Sequence, residues 1–354
     1  MPAHSSHSSS KAASLLNLPP EIRREIFIHL FRSTTLCMGP GCPARDPDDW
    51  EHRLAVPWTC RQIYSEATPL VLPNVRLYCR GNDAMMNTLT LIGPERISQL
   101  RHLILSHIPI GFRLDPSAEG LQDEDGGMRF FHAGSLLGLF PGLRLDLLEV
   151  FCGVGGGPYT GNQTTDCFGS LLEADGYRRL WMHATTGDSD AWIHTTSVED
   201  TWREAIDRKF RPNTGSGWKI QIRLQSWEWD ERERDSLWTS ARDAGITLVQ
   251  PVEQDDYNYG REDSEGHLCE EHADIIVDRG DGVDSSVKQG DDSVLKCIQL
   301  DEDGDTPESF KKASDALRKL FRENSWESIK AMDGYDDGTV NTWHEGDRAY
   351  YLMY

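Results

Sequence analysis

Few residues in this chain have types and spacing that suit chemistry, and a glycine-rich run is the first of them. The run CGVGGGPYTG, residues 152–161, follows an apolar segment that we predict to be a strand. Backbone N–H groups in such a turn can cradle a phosphate. However, the run lacks a Gly-Lys-Ser/Thr ending, and Pro158 removes one donor. Loop flexibility explains these glycines better than nucleotide binding does. A hydrolase or transferase with a site near residues 153–157 stays open as an alternative.

Histidine and cysteine occur together at two further places, and both residue types bind zinc. The first group lies in the sequence HLCEEH and the second lies near the N-terminus; their members are His267, Cys269 and His272, and Cys37, Cys42, His52 and Cys60. Neither group has the paired C-x-x-C spacing that is typical of a tetrahedral structural site. The sequence therefore predicts no metal site and no cofactor.

Motifs for hydrolysis and for calcium binding are missing from the sequence. It contains no G-x-S-x-G nucleophile elbow. The acidic runs EQDD and DEDGD do not follow the spacing of a calcium-binding loop. Asp and Glu are so frequent that any single pair of carboxylates is uninformative. We therefore expect a protein that is not an enzyme.

The composition limits the classes of partner. The 354 residues carry a formal net charge of −22, and the acidic excess is concentrated in residues 251–307. A protein that binds a phosphate backbone needs a basic face, so we expect no nucleic-acid partner. No window approaches about twenty consecutive apolar residues, so we expect no membrane span. The eight cysteines are scattered, which suits reduced thiols in the cytoplasm or nucleus better than a disulfide framework.

Short apolar segments alternate with helical patterns from residue 75 onward. The predicted strands are 75–80, 101–106, 146–152, 178–183, 218–225 and 246–250, and the predicted helices between them are 81–93, 132–140, 197–210 and 232–245. Such alternation favours crossover connections and a mainly parallel sheet. Five segments follow: a disordered tail (1–13), a helical module (14–72), an α/β domain (73–250), an acidic flexible segment (251–307), and a C-terminal helix with an aromatic end (308–354).

Three of these strands share one apolar spacing. It approximates L-x-x-L-x-L, and its positions are Leu100, Leu103, Leu105 and Ile108; Leu145, Leu148 and Val150; Tyr177, Leu180 and Met182. This spacing resembles that of a leucine-rich repeat, in which each strand lines a curved sheet. A single α/β domain with buried strands is the alternative.

The elements that would position any binding site begin with the sequence LLNLPPEIRREIF. Proline at the first helical position has a preset φ, and Glu21 suits the positive end of the helix dipole. Ile22, Ile26, Phe27 and Leu30 are predicted to share one apolar face. A loop at 33–53 separates this helix from a second one. The second helix, in PWTCRQIYSEATPLVL, is predicted to have Cys60, Ile63, Tyr64 and Ala67 on one face.

These two helices together resemble the F-box-like domain of many ascomycete proteins. The residues that carry the resemblance are Leu18, Pro19, Glu21, Ile22, Ile26, Leu30, Val56, Cys60, Arg61, Tyr64, Glu66 and Ala67, and a following GPER step also fits. The resemblance covers about residues 15–110. It implies an α+β chain in which an F-box-like helical module precedes the α/β domain.

The same resemblance implies a partner. An F-box docks to the small adaptor subunit of SCF-type ubiquitin ligases through a helix-in-groove contact. The implied adaptor-binding residues are Leu18, Pro19, Ile22, Ile26 and Leu30, and the α/β remainder would present a substrate protein.

Two alternatives to this interpretation stay open. In the first, the helix pair caps the following sheet and binds nothing. In the second, the chain is a scaffold that binds basic partners through residues 253–307. Burial or exposure of Leu18, Pro19 and Ile22 distinguishes docking from capping.

Overall fold

The computed structural model describes residues 15–39, 54–114, 128–152, 163–186, 219–225, 247–249, 271–280, 285–288, 297–299, 307–332 and 335–336. Within these ranges the helices are α1 (Pro20–Arg32), α2 (Arg61–Asn74), α3 (Asn82–Ile92), α4 (Pro94–Ile97), α5 (Ala133–Leu137), α6 (Gln163–Glu173), α7 (Pro307–Glu323) and α8 (Trp326–Lys330). Short 3-10 turns at Leu15–Asn17 and Val56–Trp58 come before α1 and α2. Among the described residues, no helix is both long enough and apolar enough to cross a membrane.

The strands form two sheets. They are β1 (Thr35–Met38), β2 (Arg76–Arg80), β3 (His102–Ser106), β4 (Ile110–Arg113), β5 (Met128–Phe131), β6 (Leu145–Cys152), β7 (Tyr177–Thr186), β8 (Lys219–Gln225), β9 (Thr247–Val249), β10 (Glu271–Asp278), β11 (Cys297–Gln299) and β12 (Tyr335–Asp336). The first sheet has the order β1-β2-β3-β6-β7-β10-β8-β9. The second has the order β11-β5-β4-β12, and its pairs are antiparallel.

The first sheet is mostly parallel, as the strand–helix alternation predicts. Strands β1, β2, β3, β6 and β7 are parallel neighbours, β10 is antiparallel to β7 and β8, and β8 is parallel to β9. All six predicted strands are present, with small differences at their ends. The helices predicted at 81–93 and 132–140 are α3 and α5, whereas those at 197–210 and 232–245 lie outside the described residues.

One buried face runs across this sheet because side chains alternate with period two along each strand. Leu103 pairs in register with Leu148, which pairs with Leu180, and all three are fully buried. The next row, Leu105, Val150 and Met182, is aligned in the same way. The repeated apolar spacing of the sequence thus coincides with ladders across neighbouring parallel strands.

The C-terminal helices cover the smaller sheet through aromatic contacts. The ring of Tyr335 lies 5.8 Å from that of Phe112 and 5.5 Å from that of Trp326. Ala313 and Leu317 of α7, which is the helix predicted within residues 308–354, are buried. The aromatic end of the chain lies outside the described residues.

Part of the acidic segment 251–307, expected to be flexible, is an interior strand. Strand β10 lies between β7 and β8, with Ile275 and Val277 fully buried. Its apolar stretch ADIIV is short, so the average composition of the surrounding acidic residues conceals it. The loop predicted at 33–53 likewise begins with β1, which pairs with β2 at the sheet edge.

Candidate functional site

Helix α1 presents an apolar surface to solvent. Leu18, Ile22 and Ile26 are 38%, 49% and 41% exposed, and Leu16 just before them is also exposed. Positions four apart on a helix lie one above the other. Ile22 and Ile26 therefore share one side of α1, and Leu16 and Leu18 are exposed in the segment just before it; these four side chains are called the exposed apolar face below.

The opposite side of α1 is buried. Phe27 and Phe31 have no exposed area, and they belong to one hydrophobic core with Ile63 and Ala67 of α2 and the first strands of the sheet. The predicted face that joined Ile22 and Ile26 to Phe27 is therefore wrong: the phenylalanines face the core, and the isoleucines face water. The helix pair both caps the sheet and leaves an apolar surface uncovered.

The remaining residues implied by the resemblance differ in exposure. Pro19 is exposed and precedes the first residue of α1, whereas Leu30 is only partly exposed and packs against the core. Tyr64, predicted on one face with Ile63 and Ala67, is 44% exposed, whereas those two residues are buried. The structure therefore assigns Leu30 to packing and places Leu18, Pro19, Ile22 and Ile26 at the surface.

A buried arginine holds the N-terminal segment in place. Arg23 Nε and Nη2 donate to the two carboxylate oxygens of Glu66 at 2.7 and 2.6 Å. Arg23 Nη1 donates to the carbonyl oxygens of Leu18 and Leu16. The hydrogen bond from Arg23 lowers the pKa of Glu66. One side chain thus joins α1, α2 and the backbone that carries the exposed apolar face.

A second exposed feature lies at the start of α2. Trp58 is 75% exposed, and its ring lies 5.4 Å from that of Tyr64. Together with Pro57, Cys60 and Arg61, these two rings line a surface pocket of about 340 Å³. Exposed tryptophan and tyrosine are the residue types most enriched at the energetic centres of protein interfaces.

The other places singled out in the sequence do not form a site among the described residues. Residues 153–157 and Cys42, His52, His267 and Cys269 all lie outside the described ranges, and His272 lies in β10. Cys37 is disulfide-bonded, which the expectation of reduced cysteines did not include, whereas Cys60 and Cys79 carry thiols.

A polar cluster that sequence reasoning missed lies inside the core. His107 follows β3, His132 follows β5 at the residue just before α5, and Cys167 lies on α6. His107 Nε2 is 2.9 Å from His132 Nδ1, and Cys167 Sγ is 3.4 Å from Cys152 Sγ. The period-two pattern could have revealed it, because His107 follows Leu103 and Leu105 at the same two-residue spacing and lies on the same buried face. The repeat spacing had instead predicted Ile108 as the next apolar position. In β6, Cys152 continues the face of Leu148 and Val150.

A second histidine connects three strands on the other face of the sheet. His183 Nδ1 lies 2.8 Å from Asp274 Oδ1, and its Nε2 lies 3.1 Å from Glu149 Oε1. Burial acts to lower the pKa of His183, but the hydrogen bonds to both carboxylates outweigh it and raise that pKa to about 9. Its ring stacks on Phe151 at 4.4 Å. Both ring nitrogens are engaged, so this group is a cross-strand ion cluster rather than a poised acid or base.

Comparison with protein-family models, curated proteins and solved structures gave no match for this chain.

Proposed function

We propose that this protein is a non-enzymatic substrate receptor whose F-box-like helices dock to the adaptor subunit of an SCF-type ubiquitin ligase. The observation that carries the proposal is the exposure of Ile22 and Ile26 on a helix whose opposite side is buried, together with the exposure of Leu18 just before that helix. A helix that only covers the sheet and binds no partner needs apolar residues on its buried side alone. The exposed apolar face is what a docking helix adds.

The chemistry of this face suits a groove partner. Helix-in-groove recognition uses apolar anchors spaced three or four residues apart, as Ile22 and Ile26 of α1 are, and Leu18 adds an apolar side chain just before the helix. Removing their exposed apolar area from water stabilises a complex by roughly 25 cal/mol per Å². Arg23 and Glu66 hold the anchors before binding, which lowers the ordering cost of association.

The sheet supports the second half of the proposal. Its parallel strands β2, β3, β6 and β7 follow one another in sequence and stack their apolar residues in register. This arrangement is compatible with the leucine-rich-repeat-like spacing, and in our proposal this domain presents a substrate protein in the cytoplasm or nucleus. The alternative hydrolase or transferase near residues 153–157 gains no support from the described residues.

The test is co-purification of the full chain with the purified adaptor subunit. Ile22→Asp and Leu18→Asp each place a charge in the apolar contact, so we expect at least about a tenfold loss of affinity, or about 1.4 kcal/mol. Leu91→Asp is the matched control, because Leu91 is a 74% exposed leucine on α3, away from the exposed apolar face. Its affinity should equal that of the wild type.

Two results would contradict the proposal. One is no binding of the wild-type chain to the adaptor at concentrations where a known F-box protein binds. The other is binding that Ile22→Asp and Leu91→Asp reduce equally, since this would locate the contact elsewhere.

A further inference from the structure

We propose that His107, His132, Cys167 and Cys152 form a buried structural zinc site at the carboxyl ends of the parallel strands. One imidazole nitrogen from each histidine and the Cys167 sulfur lie within 4.8 Å of one another, and all three residues are buried. In the part of the chain that the structure describes, no other three histidine, cysteine or acidic side chains converge in this way. Cys152 brings a second sulfur to within 3.4 Å of the first.

The separations approach those that one ion requires. Zinc binds sulfur at about 2.3 Å and imidazole nitrogen at about 2.0 to 2.1 Å, so ligand atoms around a tetrahedral ion lie roughly 3.3 to 3.8 Å apart. The two sulfurs, at 3.4 Å, lie in this range. One nitrogen of each histidine and Cys167 Sγ lie within 4.8 Å of one another, so the widest of these separations must shorten by up to about 1 Å when an ion binds.

Unsatisfied polar atoms at the same place indicate a missing ligand. His132 Nε2 is buried without a hydrogen-bond partner, and so is Asn82 Oδ1, whose amide nitrogen lies 3.4 Å from His107 Nδ1. A buried polar atom without a partner costs about 1 to 3 kcal/mol. An ion bound at His132 Nε2 would give that atom a partner and offset its cost, and the Asn82 amide can orient the His107 ring from outside, as groups that hydrogen-bond metal-liganding imidazoles do.

The chemistry of the donors favours zinc. Two imidazoles and two thiolates form a common structural zinc set. Zn²⁺ with two thiolates also has no net charge, which lowers the cost of placing the ion in an apolar interior.

The position in the fold gives the site a structural role. His107 follows β3 and Cys152 ends β6, both in the larger sheet, whereas His132 follows β5 of the smaller sheet. Cys167 lies on α6, which approaches α5 closely at Gly134. The four ligands thus join both sheets and two helices, and no coordination position is left open for a substrate.

The experiment measures metal bound to the full chain, purified without chelators from cells grown with added zinc. We expect about one tightly bound zinc ion per chain by elemental mass spectrometry. Replacement by Co²⁺ should give the visible and thiolate charge-transfer bands of a tetrahedral site with sulfur ligands. Chelation should lower the melting temperature. Cys167→Ser and His132→Gln should lose the zinc and the cobalt bands.

Control variants separate this site from other metal-binding residues. Cys79→Ser removes a buried thiol outside the cluster and should keep the zinc. The triple change His267→Ala, Cys269→Ala and His272→Ala removes the cluster named in the sequence and should also keep it.

Three outcomes overturn the proposal. They are substoichiometric zinc in the wild type, zinc lost with the triple change but kept in Cys167→Ser, and a Cys152–Cys167 disulfide detected by mass spectrometry in the metal-free native chain. If Cys167→Ser and His132→Gln fail to fold, the zinc content and the cobalt spectrum of the wild-type chain still test the proposal.

Discussion

Arg23 and Glu66 form a two-pronged ion pair that connects α1 to α2, with N–O distances of 2.7 and 2.6 Å. The guanidinium is almost fully buried and also binds the carbonyl oxygens of Leu16 and Leu18. The Arg23–Glu66 pair therefore fixes the backbone of Leu16 and Leu18, which belong to the exposed apolar face. Lysine has a single ammonium group instead of a planar guanidinium, so it could not bind both carboxylate oxygens of Glu66 and the two carbonyl oxygens at once.

Arg23→Lys should lower the melting temperature and weaken adaptor binding, because the backbone of Leu16 and Leu18 loses its donor. A double-mutant cycle with Glu66→Gln measures the coupling by thermal unfolding. The pKa of Glu66 is lowered in the folded state, so its stabilising effect should be present above the usual carboxyl pKa and disappear as the pH falls through the lower value. If the effects of Arg23→Lys and Glu66→Gln on the melting temperature were additive, the two side chains would not be coupled, which would contradict the ion pair.

Phe27→Ala and Ile22→Asp should differ sharply in stability although both change α1. Phe27 is fully buried, and its truncation should cost about 3 to 5 kcal/mol of unfolding free energy. Ile22 is 49% exposed in the first turn, where Asp suits the helix dipole, so the change should lie within about 0.5 kcal/mol. Urea unfolding measures both values, and equal losses would mean that Ile22 is buried.

His183 should make stability depend on alkaline pH. Its pKa is raised from 6.5 to about 9, so its contribution is fully present below about pH 6.5 and is lost as the pH rises through about 9. The loss should be on the order of 3 kcal/mol. Urea unfolding across this range, compared with His183→Gln, isolates the effect, and parallel curves for the two proteins would exclude it.

Arg279 should contribute far more to the free energy of unfolding than Arg179 does. Arg279 is 1% exposed, lies 4.1 Å from the Tyr177 ring centre and donates to the Ala174 carbonyl at the end of α6. Its replacement by alanine should cost about 2 to 4 kcal/mol, because these buried acceptors lose their donor. Arg179 forms an exposed ion pair with Asp278, so Arg179→Ala should cost less than about 1 kcal/mol. Chemical denaturation of both variants is the measurement.

Gly134→Ala should destabilise the contact between α5 and α6. A Cβ at this position would overlap the Ser170 carbonyl group, so the helices must separate, at a cost of about 1 to 3 kcal/mol. Gly169→Ala on α6 meets nothing within 4 Å and should be neutral or stabilising by up to about 1 kcal/mol. Thermal unfolding compares the pair, and if the zinc proposal is correct, only Gly134→Ala also weakens metal retention.

Local patterns in the sequence determined much of the fold. The alternation at Leu103, Leu148 and Leu180 predicts strands because period two is a local property of an extended chain. The amphipathic spacing around Leu317 predicts α7 for the same kind of reason. Strand β10 escaped prediction because its apolar stretch is short and surrounded by acidic residues, and only pairing with β7 and β8 stabilises it there.

The candidate sites were decided by tertiary structure. The sequence identified α1 as amphipathic but not which side is buried, because Ile22 and Phe27 are both apolar and only packing against α2 and the sheet selects one. Likewise, nothing local relates His107 to His132 or Cys167. Parallel strands bring His107 and Cys152 to one edge of the larger sheet, and the packing of the smaller sheet and of α6 brings His132 and Cys167 to the same place. The sequence by itself thus determined the elements and their apolar faces, whereas the competition among those faces for one core decided which side chains meet solvent and which meet each other.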